Sequence, residues 1–408
     1  MADLLLPEAA SPVPRAAPRE SLDIRHVVID DAGPHPSAAN GVHHVVRRMA
    51  REQLAAGDNA KILFLRSHDQ DGGGEAVDLP TLILPLDGPR LVGRVYGLEE
   101  PIIAAMAGGA GPTTVFHIHT ARQLLLPSLA RALHQRGLPF GITVHGRYSH
   151  VFAPSGAIAN WRTAAYLRLF ERQALELARF VQAVSPAEAK LIARLAPAAR
   201  VHVVPNAAYS SVFDGIPRRP TRNVGFADFP VFGFCGRYEI LHKGLDLLVE
   251  GFAIYRRQGG RGRLVLIGTG PARDVLAAMA ATLDLTDAIE IQGPCFGEAK
   301  HSKMSGWHFF VQPSRFDGVP IAALEAALAG LPLVVSQETG LAEQVASANA
   351  GLVMRDLTAS AVAEAFHKAA LLSPETWQSM MLGAHAMATQ IGDWTPISAQ
   401  LRKLYLAR

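Results

Sequence analysis

The sequence predicts an α/β protein made of two Rossmann-like, doubly wound parallel-sheet domains. Three observations predict it. At 408 residues the chain is too long for one ordinary core. Short apolar runs alternate with longer helical patterns, which argues a parallel sheet covered on both faces. The alternation stops in a polar, turn-rich stretch at about 205–229 and then restarts.

The first 22 residues, MADLLLPEAASPVPRAAPRESL, are rich in Pro and Ala and read as a disordered tail. Pro7 breaks the only apolar core there, so no signal-peptide segment is expected. RHVVID (25–30) opens the first domain, 23–208, and is followed by a helical pattern from Gly41 and then by KILFL (61–65). TTVFHI (113–118), FGITV (140–144), FVQAV (180–184) and VHVV (201–204) continue the sheet, with helices between them. Residues 209–228 form the predicted linker. The second domain, 229–382, carries VFGFC (231–235), RLVLI (263–267), AIEI (288–291), HFFVQ (308–312) and LPLVV (331–335). The last stretch, 374–408, reads as two helices, and 383–408 is expected to pack back toward the first domain through Trp394 and Tyr405.

Composition narrows the function. A net charge of +3 is too small a bias to indicate nucleic-acid binding. The two cysteines, Cys235 and Cys295, form no disulfide framework and suit a reducing, cytoplasmic compartment. No apolar run is long enough to span a bilayer. Ligands of open parallel sheets bind beyond the carboxyl ends of the strands, so the residues that follow each strand carry the chemistry.

One such stretch is PSRFDGVPIAALEAALAGLPLVV (313–335). From Ile321 to Ala329 it holds only Ala, Leu and Ile apart from Glu325. A helix with no polar face is expected to be buried all round, and a carboxylate inside it needs a partner. That partner is either a cation or amide of the protein's own fold or a ligand bearing paired hydroxyls. Asp317 precedes the helix, either as a cap or turn residue or as an anion aimed at a ligand. Pro320 suits the first helical position. A second stretch, CGRYEILHKGLDLL (235–248), follows a strand and opens a helix. Arg237 and Lys243, with Gly236 and Gly244, are either solvent-facing charges or a phosphate receptor. A third, IGTGPAR (267–273), follows a dinucleotide fingerprint until Arg273 stands in the place of the third glycine, which argues against NAD.

In the first domain His119 and His145 stand at strand ends, where imidazole either packs or hydrogen-bonds a ligand. Asn40 and Gly41 turn the chain before the first helix. The Asp-x-Asp of HDQDGGG (68–74) reads as a solvated loop, no Cys/His spacing indicates zinc, and neither a metal nor another cofactor is expected. Residues 157–180 interleave aromatics with Arg, which suits either an ordinary crossover helix or one lying on an anionic bilayer.

Together these residues resemble the retaining glycosyltransferases of the GT-B fold, family 4, also termed glycosyltransferase group 1. The resemblance runs over nearly the whole chain after the tail and is strongest at 231–353. The family's Glu-x7-Glu phrase appears as Asp317 and Glu325, its Arg-x5-Lys pair as GRYEILHKG, and its linker signal as VVPNAA. Three departures stand out: Asp317 for Glu, one glycine in the first loop where two are usual, and Ala207 for the linker glycine.

The resemblance implies two domains facing across a cleft that holds a nucleotide sugar. Glu325 would accept from ribose hydroxyls. Asp317 would hold donor-sugar hydroxyls, and Arg237 and Lys243 would neutralise the departing diphosphate. His145 would touch the donor sugar and the Gly41 loop would close over phosphate or acceptor. Gly318, Val319 and Ile321 would line the donor site, and backbone at Pro294 and Cys295 would receive the base. The expected reaction moves a hexosyl group from a UDP- or GDP-sugar to a saccharide or lipid-linked acceptor in bacterial polysaccharide assembly. It would run in the cytoplasm or on the inner membrane face, without metal. A nucleotide-sugar epimerase of the same architecture, or a non-catalytic nucleotide-sugar-binding protein, are the alternatives.

Overall fold

The computed structural model describes residues 20–30, 41–66, 79–91, 93–148, 161–209, 211, 214 and 229–407. The first half supplies β1 (Asp23–Asp30), β2 (Asn59–Arg66), β3 (Thr81–Pro85), a small hairpin of β4 (Arg90–Leu91) and β5 (Arg94–Val95), β6 (Thr114–His119), β7 (Phe140–Thr143), β8 (Phe180–Ala183) and β9 (Val201–Val203). Seven of them form one sheet in the order β3-β2-β1-β6-β7-β8-β9, and every pairing in it is parallel. The second half supplies β10 (Val231–Arg237), β11 (Arg263–Thr269), β12 (Ile289–Gln292), β13 (Phe309–Gln312), β14 (Leu333–Ser336) and β15 (Gly351–Met354). These form a second parallel sheet, β12-β11-β10-β13-β14-β15.

Both sheets are covered on two faces, so their central strands are apolar without alternation. All six positions of β6 are buried, its two histidines included. In each sheet the strand order reverses direction at one place, between β1 and β6 and between β10 and β13. A crevice opens where such a reversal occurs. Arg237 ends β10, Lys243 comes after it and Asp317 follows β13, so the cations and the acidic turn flank the crevice of the second sheet.

Four strands escape the sequence pattern. β3 is an edge strand with four of its five residues exposed, β4 and β5 are two residues each, and β15 is four residues long at the other sheet's edge. Edge strands lack the apolar run that two-sided burial imposes. Leu22, read with the tail, is instead buried, and its N–H donates to Asp58 Oδ1 at 3.1 Å.

Two segments cross between the domains side by side. The first runs through Ala208 and Tyr209. The second runs from helix Pro374–Ile391 through Gly392 into helix Trp394–Leu406. The amides of Ala208 and Tyr209 donate to Gly392 O at 2.9 and 3.0 Å, and Trp394 N donates to Tyr209 O at 2.9 Å. Helix Pro374–Ile391 packs Trp377 and Met381 into the second domain's core. Helix Trp394–Leu406 buries Trp394, Ile397, Leu401 and Tyr405 against Ile24, Val46 and Phe180 of the first domain.

Candidate active site

The acidic turn and the cation loop meet. Lys243 Nζ lies 2.6 Å from Asp317 Oδ2, with both side chains mostly shielded from solvent. Gln312 Nε2 donates to the same oxygen at 2.8 Å, and Ser314 Oγ lies 3.4 Å from it. Asp317 therefore caps nothing: helix Ile321–Leu328 begins after Pro320 with no side-chain cap. The turn is held instead by Gly340 N donating to Asp317 O at 3.0 Å. Lys243 ends a four-residue helical turn, Ile240–Lys243, and the long helix expected to open in this loop starts only at Leu245. Between them Gly244 has φ +63°, and a Cβ there would meet Pro313 O at 2.0 Å. Only glycine satisfies both constraints, and that close approach brings the Lys243 loop against the Asp317 turn.

Arg237 stands apart from this pair. It is more than half exposed and pairs with Glu239, whose second oxygen lies 3.2 Å from His242 Nδ1. The His242 hydrogen bond and Arg237 pull the Glu239 carboxyl down to about 2. Glu239 and His242 line an open pocket of about 510 Å³, together with Val275 and, from the first domain, Arg122.

Glu325 corrects one expectation. Its helix is not buried all round: Ile321, Ala322, Glu325 and Leu328 form a half-buried stripe, because this face looks toward the first domain. Ile321 packs against the cluster that contains Val45 and Val46. The partner of Glu325 is Lys300, with Nζ–Oε2 at 2.5 Å. Nothing in the sequence marks Lys300. It lies on helix Gly297–Ser305, whose pattern is polar, and only the loop's return toward Glu325 gives it a role. His44, from the first domain, lies within electrostatic reach of both, and its ring centroid is 5.8 Å from that of Phe296.

Next to Asp317 in the same turn, Gly318 touches the first domain directly. A Cβ on it would meet Val184 Cγ2 at 2.5 Å. Val184 follows β8, and His145 follows β7 with φ +51°, a left-handed conformation few non-glycine residues adopt. Glu188 clamps these two loops. Its Oε1 accepts from Gly146 N, and its Oε2 accepts from Val184 N at 2.7 Å. The sequence gives no sign of this role, because Glu188 lies in the first turn of an ordinary helix capped by Ser185. Burial pushes its carboxyl up from 4.5 to about 7, against the two N–H groups. A folded-state value above the unfolded one contributes stability that is present below pH 4.5 and lost as pH rises through 7. Glu188→Gln sets an amide NH₂ against one of the two N–H donors. It is expected to lose about 2 kcal/mol and to remove that pH dependence, both readable from thermal unfolding at pH 5 and pH 8.

The remaining residues divide by position. Val319 and Cys295 pack with Cys235 against the core of the second sheet. Burial pushes the Cys235 thiol up to about 12. Pro294 lies in the loop after β12, two positions beyond Gln292. The glycines of IGTG pack the end of β11 onto that of β10: a Cβ on Gly268 would meet Gly236 O at 1.9 Å. Gly41 is the first residue of helix Gly41–Ala55. Asn40, the Asp-x-Asp loop and most of the linker lie outside the described residues. His119 is fully buried at the end of β6 and reaches His145 rather than solvent. The ring nitrogens of His26, His117 and His119 come within 4.8 Å of one another, as metal ligands would, yet each is engaged in a hydrogen bond.

Comparison with known proteins gives two family matches. Residues 229–370 match the model described as Glycosyl transferases group 1, and residues 39–208 match Glycosyltransferase Family 4. Among curated relatives, EpsF of Bacillus subtilis, described as a glycosyltransferase, is 27% identical over 60% of this chain and 62% of its own. The colanic acid biosynthesis glycosyltransferase WcaL of Salmonella typhimurium is 25% identical over 40% of this chain and 41% of its own. The match thus spans less than two thirds of either relative. Anabaena HepE, solved in complex with UDP-glucose, superposes with a TM-score of 0.70 at 17% identity, over 94% of this chain and all of the other.

Proposed function

Because the chain belongs to the group 1 glycosyl transferases of family 4 and has their GT-B fold, we propose that it is a hexosyltransferase. It takes a hexosyl group from a nucleotide sugar and passes it to a saccharide acceptor in polysaccharide assembly. The observation that carries this reading is the contact of Lys243 with Asp317 at the crevice of the second sheet, beside the approach of Gly318 to Val184. One wall offers cations for a diphosphate, carboxylates for sugar and ribose hydroxyls, and a touching first domain that excludes water.

In the proposed mechanism Lys243 and Arg237 bind the diphosphate. Asp317 and His145 hold the hexose and Glu325 the ribose. The acceptor hydroxyl attacks C1 from the face the diphosphate leaves. A new C1–O bond forms as the C1–O bond to phosphate breaks, and the hydroxyl proton passes to the leaving phosphate oxygen, so configuration is retained. Charge grows on the diphosphate in the transition state, where Lys243 gains most. The pocket between Arg122 and His242 suits the acceptor's approach.

Trp161, Leu169 and Phe170 are exposed on the segment that interleaves aromatics with Arg. This supports a peripheral seat on an anionic bilayer and a lipid-linked acceptor. Among the described residues no helix is long and apolar enough to cross a membrane. The UDP-glucose bound by HepE makes UDP-sugars the first donors to test.

The experiment is thermal unfolding with UDP- and GDP-sugars, followed by nucleoside diphosphate release with and without acceptor. A ligand at 100 times its Kd adds about 2.7 kcal/mol, a shift of several degrees. Acceptor-dependent release supports transfer. Interconversion of donors without acceptor indicates an epimerase, and binding without turnover a scaffold; either result replaces this reading.

A further inference from the structure

A continuous line of hydrogen bonds runs through the first domain to His145. It begins at a group that can only accept. Gln182 Nε2 lies 2.9 Å from the carbonyl oxygen of Val204, so the amide NH₂ faces that oxygen and Oε1 faces the other way. Thr143 Oγ1 lies 2.8 Å from Gln182 Oε1 and must donate its only hydrogen there. Toward His117 Nε2, at 2.7 Å, Thr143 can then only accept, so His117 carries its proton on Nε2. His117 Nδ1 accepts from Tyr405 OH at 2.8 Å. Tyr405 has spent its hydrogen and accepts from Gln53 Nε2 at 3.1 Å.

The remaining links inherit the direction. Gln53 Oε1 accepts from His26 Nε2 at 2.7 Å, His26 Nδ1 from His119 Nε2 at 2.8 Å, and His119 Nδ1 from His145 Nε2 at 3.1 Å. The logic requires neutral imidazoles, and burial depresses all four: His26 to about 4, His145 to about 3, and His117 and His119 well below their usual value. Nδ1 of His145 makes no hydrogen bond among the described residues.

We propose that this one-way chain, anchored on the Val204 carbonyl, locks His145 in its Nε2–H tautomer, so that Nδ1 meets the donor sugar as a hydrogen-bond acceptor only. The sugar in this statement rests on the glycosyltransferase reading; the tautomer does not. Thr143, His117, Tyr405, Gln53, His26 and His119 are then positioning residues. They select donors that carry a hydroxyl at the position facing His145 over donors deoxygenated there. Without the anchor the whole chain can reverse, each imidazole proton moving to the other ring nitrogen, the Tyr405 hydroxyl turning toward Gln53 and the Gln53 amide flipping, at no loss in the hydrogen bonds between Tyr405 and His145.

The test is a long-range ¹H–¹⁵N correlation spectrum of the full chain with ¹⁵N-labelled histidine. In the wild type, His26, His117, His119 and His145 are expected as Nε2–H. Thr143→Val removes the anchor without changing shape, and all four should become tautomer mixtures. Tyr405→Phe cuts the chain lower down: His117 should stay Nε2–H while His26, His119 and His145 mix. A merely structural role would not produce that pattern. Either variant is expected to raise the donor KM roughly fivefold, the weight of one neutral hydrogen bond. An Nδ1–H signal from any of the four in the wild type overturns the proposal, even if neither variant folds. So does a Tyr405→Phe protein in which His145 remains wholly Nε2–H. A locked chain in a protein that binds no nucleotide sugar would sink the functional reading alone.

Discussion

Lys243→Ala is expected to fold and to lose about 10³-fold in kcat, the scale of removing a group that stabilises developing charge. The fold should survive because Asp317 keeps a partner: Gln312 Nε2 remains 2.8 Å from its Oδ2. What disappears is a point charge whose interaction with the diphosphate strengthens as the C1–O bond breaks. A contact that is stronger in the transition state than in the ground state lowers kcat when lost, with a smaller change in KM. Lys243→Arg should not restore the rate, since the loop is fixed by Gly244 against Pro313 and a planar guanidinium does not fit where an ammonium sits 2.6 Å from Asp317. Steady-state kinetics with a saturating acceptor would decide it. A folded Lys243→Ala protein turning over at the wild-type rate removes the phosphate role.

The same loop shows what was legible in the sequence. Arg237, Lys243, Asp317 and Glu325 announce themselves because charges after apolar strands are conspicuous, and the parallel pattern says which strand ends share an edge. The central strands are equally legible, since two-sided burial leaves apolar runs. β3 and β15 are not, because an edge strand feels burial on fewer sides. The partners of the announced residues are also silent. Lys300 sits in a polar helix like any solvent lysine, and Glu188 in an ordinary first helical turn. Gln182 and Thr143 look like polar interruptions of buried strands. Their roles depend on which strands lie side by side, β7 beside β8 and β6 beside β7, and on a C-terminal helix that returns across the cleft to insert Tyr405. Such pairings are tertiary facts with no local periodicity to betray them.

Glu325→Ala should fail in a different way from Lys243→Ala, and the contrast tests the division of labour. Glu325 is proposed to hold ribose hydroxyls, a contact equal in ground and transition states, so its loss belongs in KM. Hydrogen bonds to a charged group contribute about 1.5–3 kcal/mol each, but nucleotide binding must first loosen the Lys300 pair. The net expectation is a rise of about 10²-fold in donor KM, with kcat changed far less. The substitution also strands Lys300, whose side chain is only 12% exposed and whose ion-pair partner has gone. Leaving one member of a shielded pair is costly, so Glu325→Ala should unfold several degrees below wild type. Lys300→Met with Glu325→Ala removes both charges and should recover most of that stability, while donor KM stays high. If the double variant instead regained wild-type KM, Glu325 would serve only to neutralise Lys300. Its place opposite the nucleotide would then have to be given up.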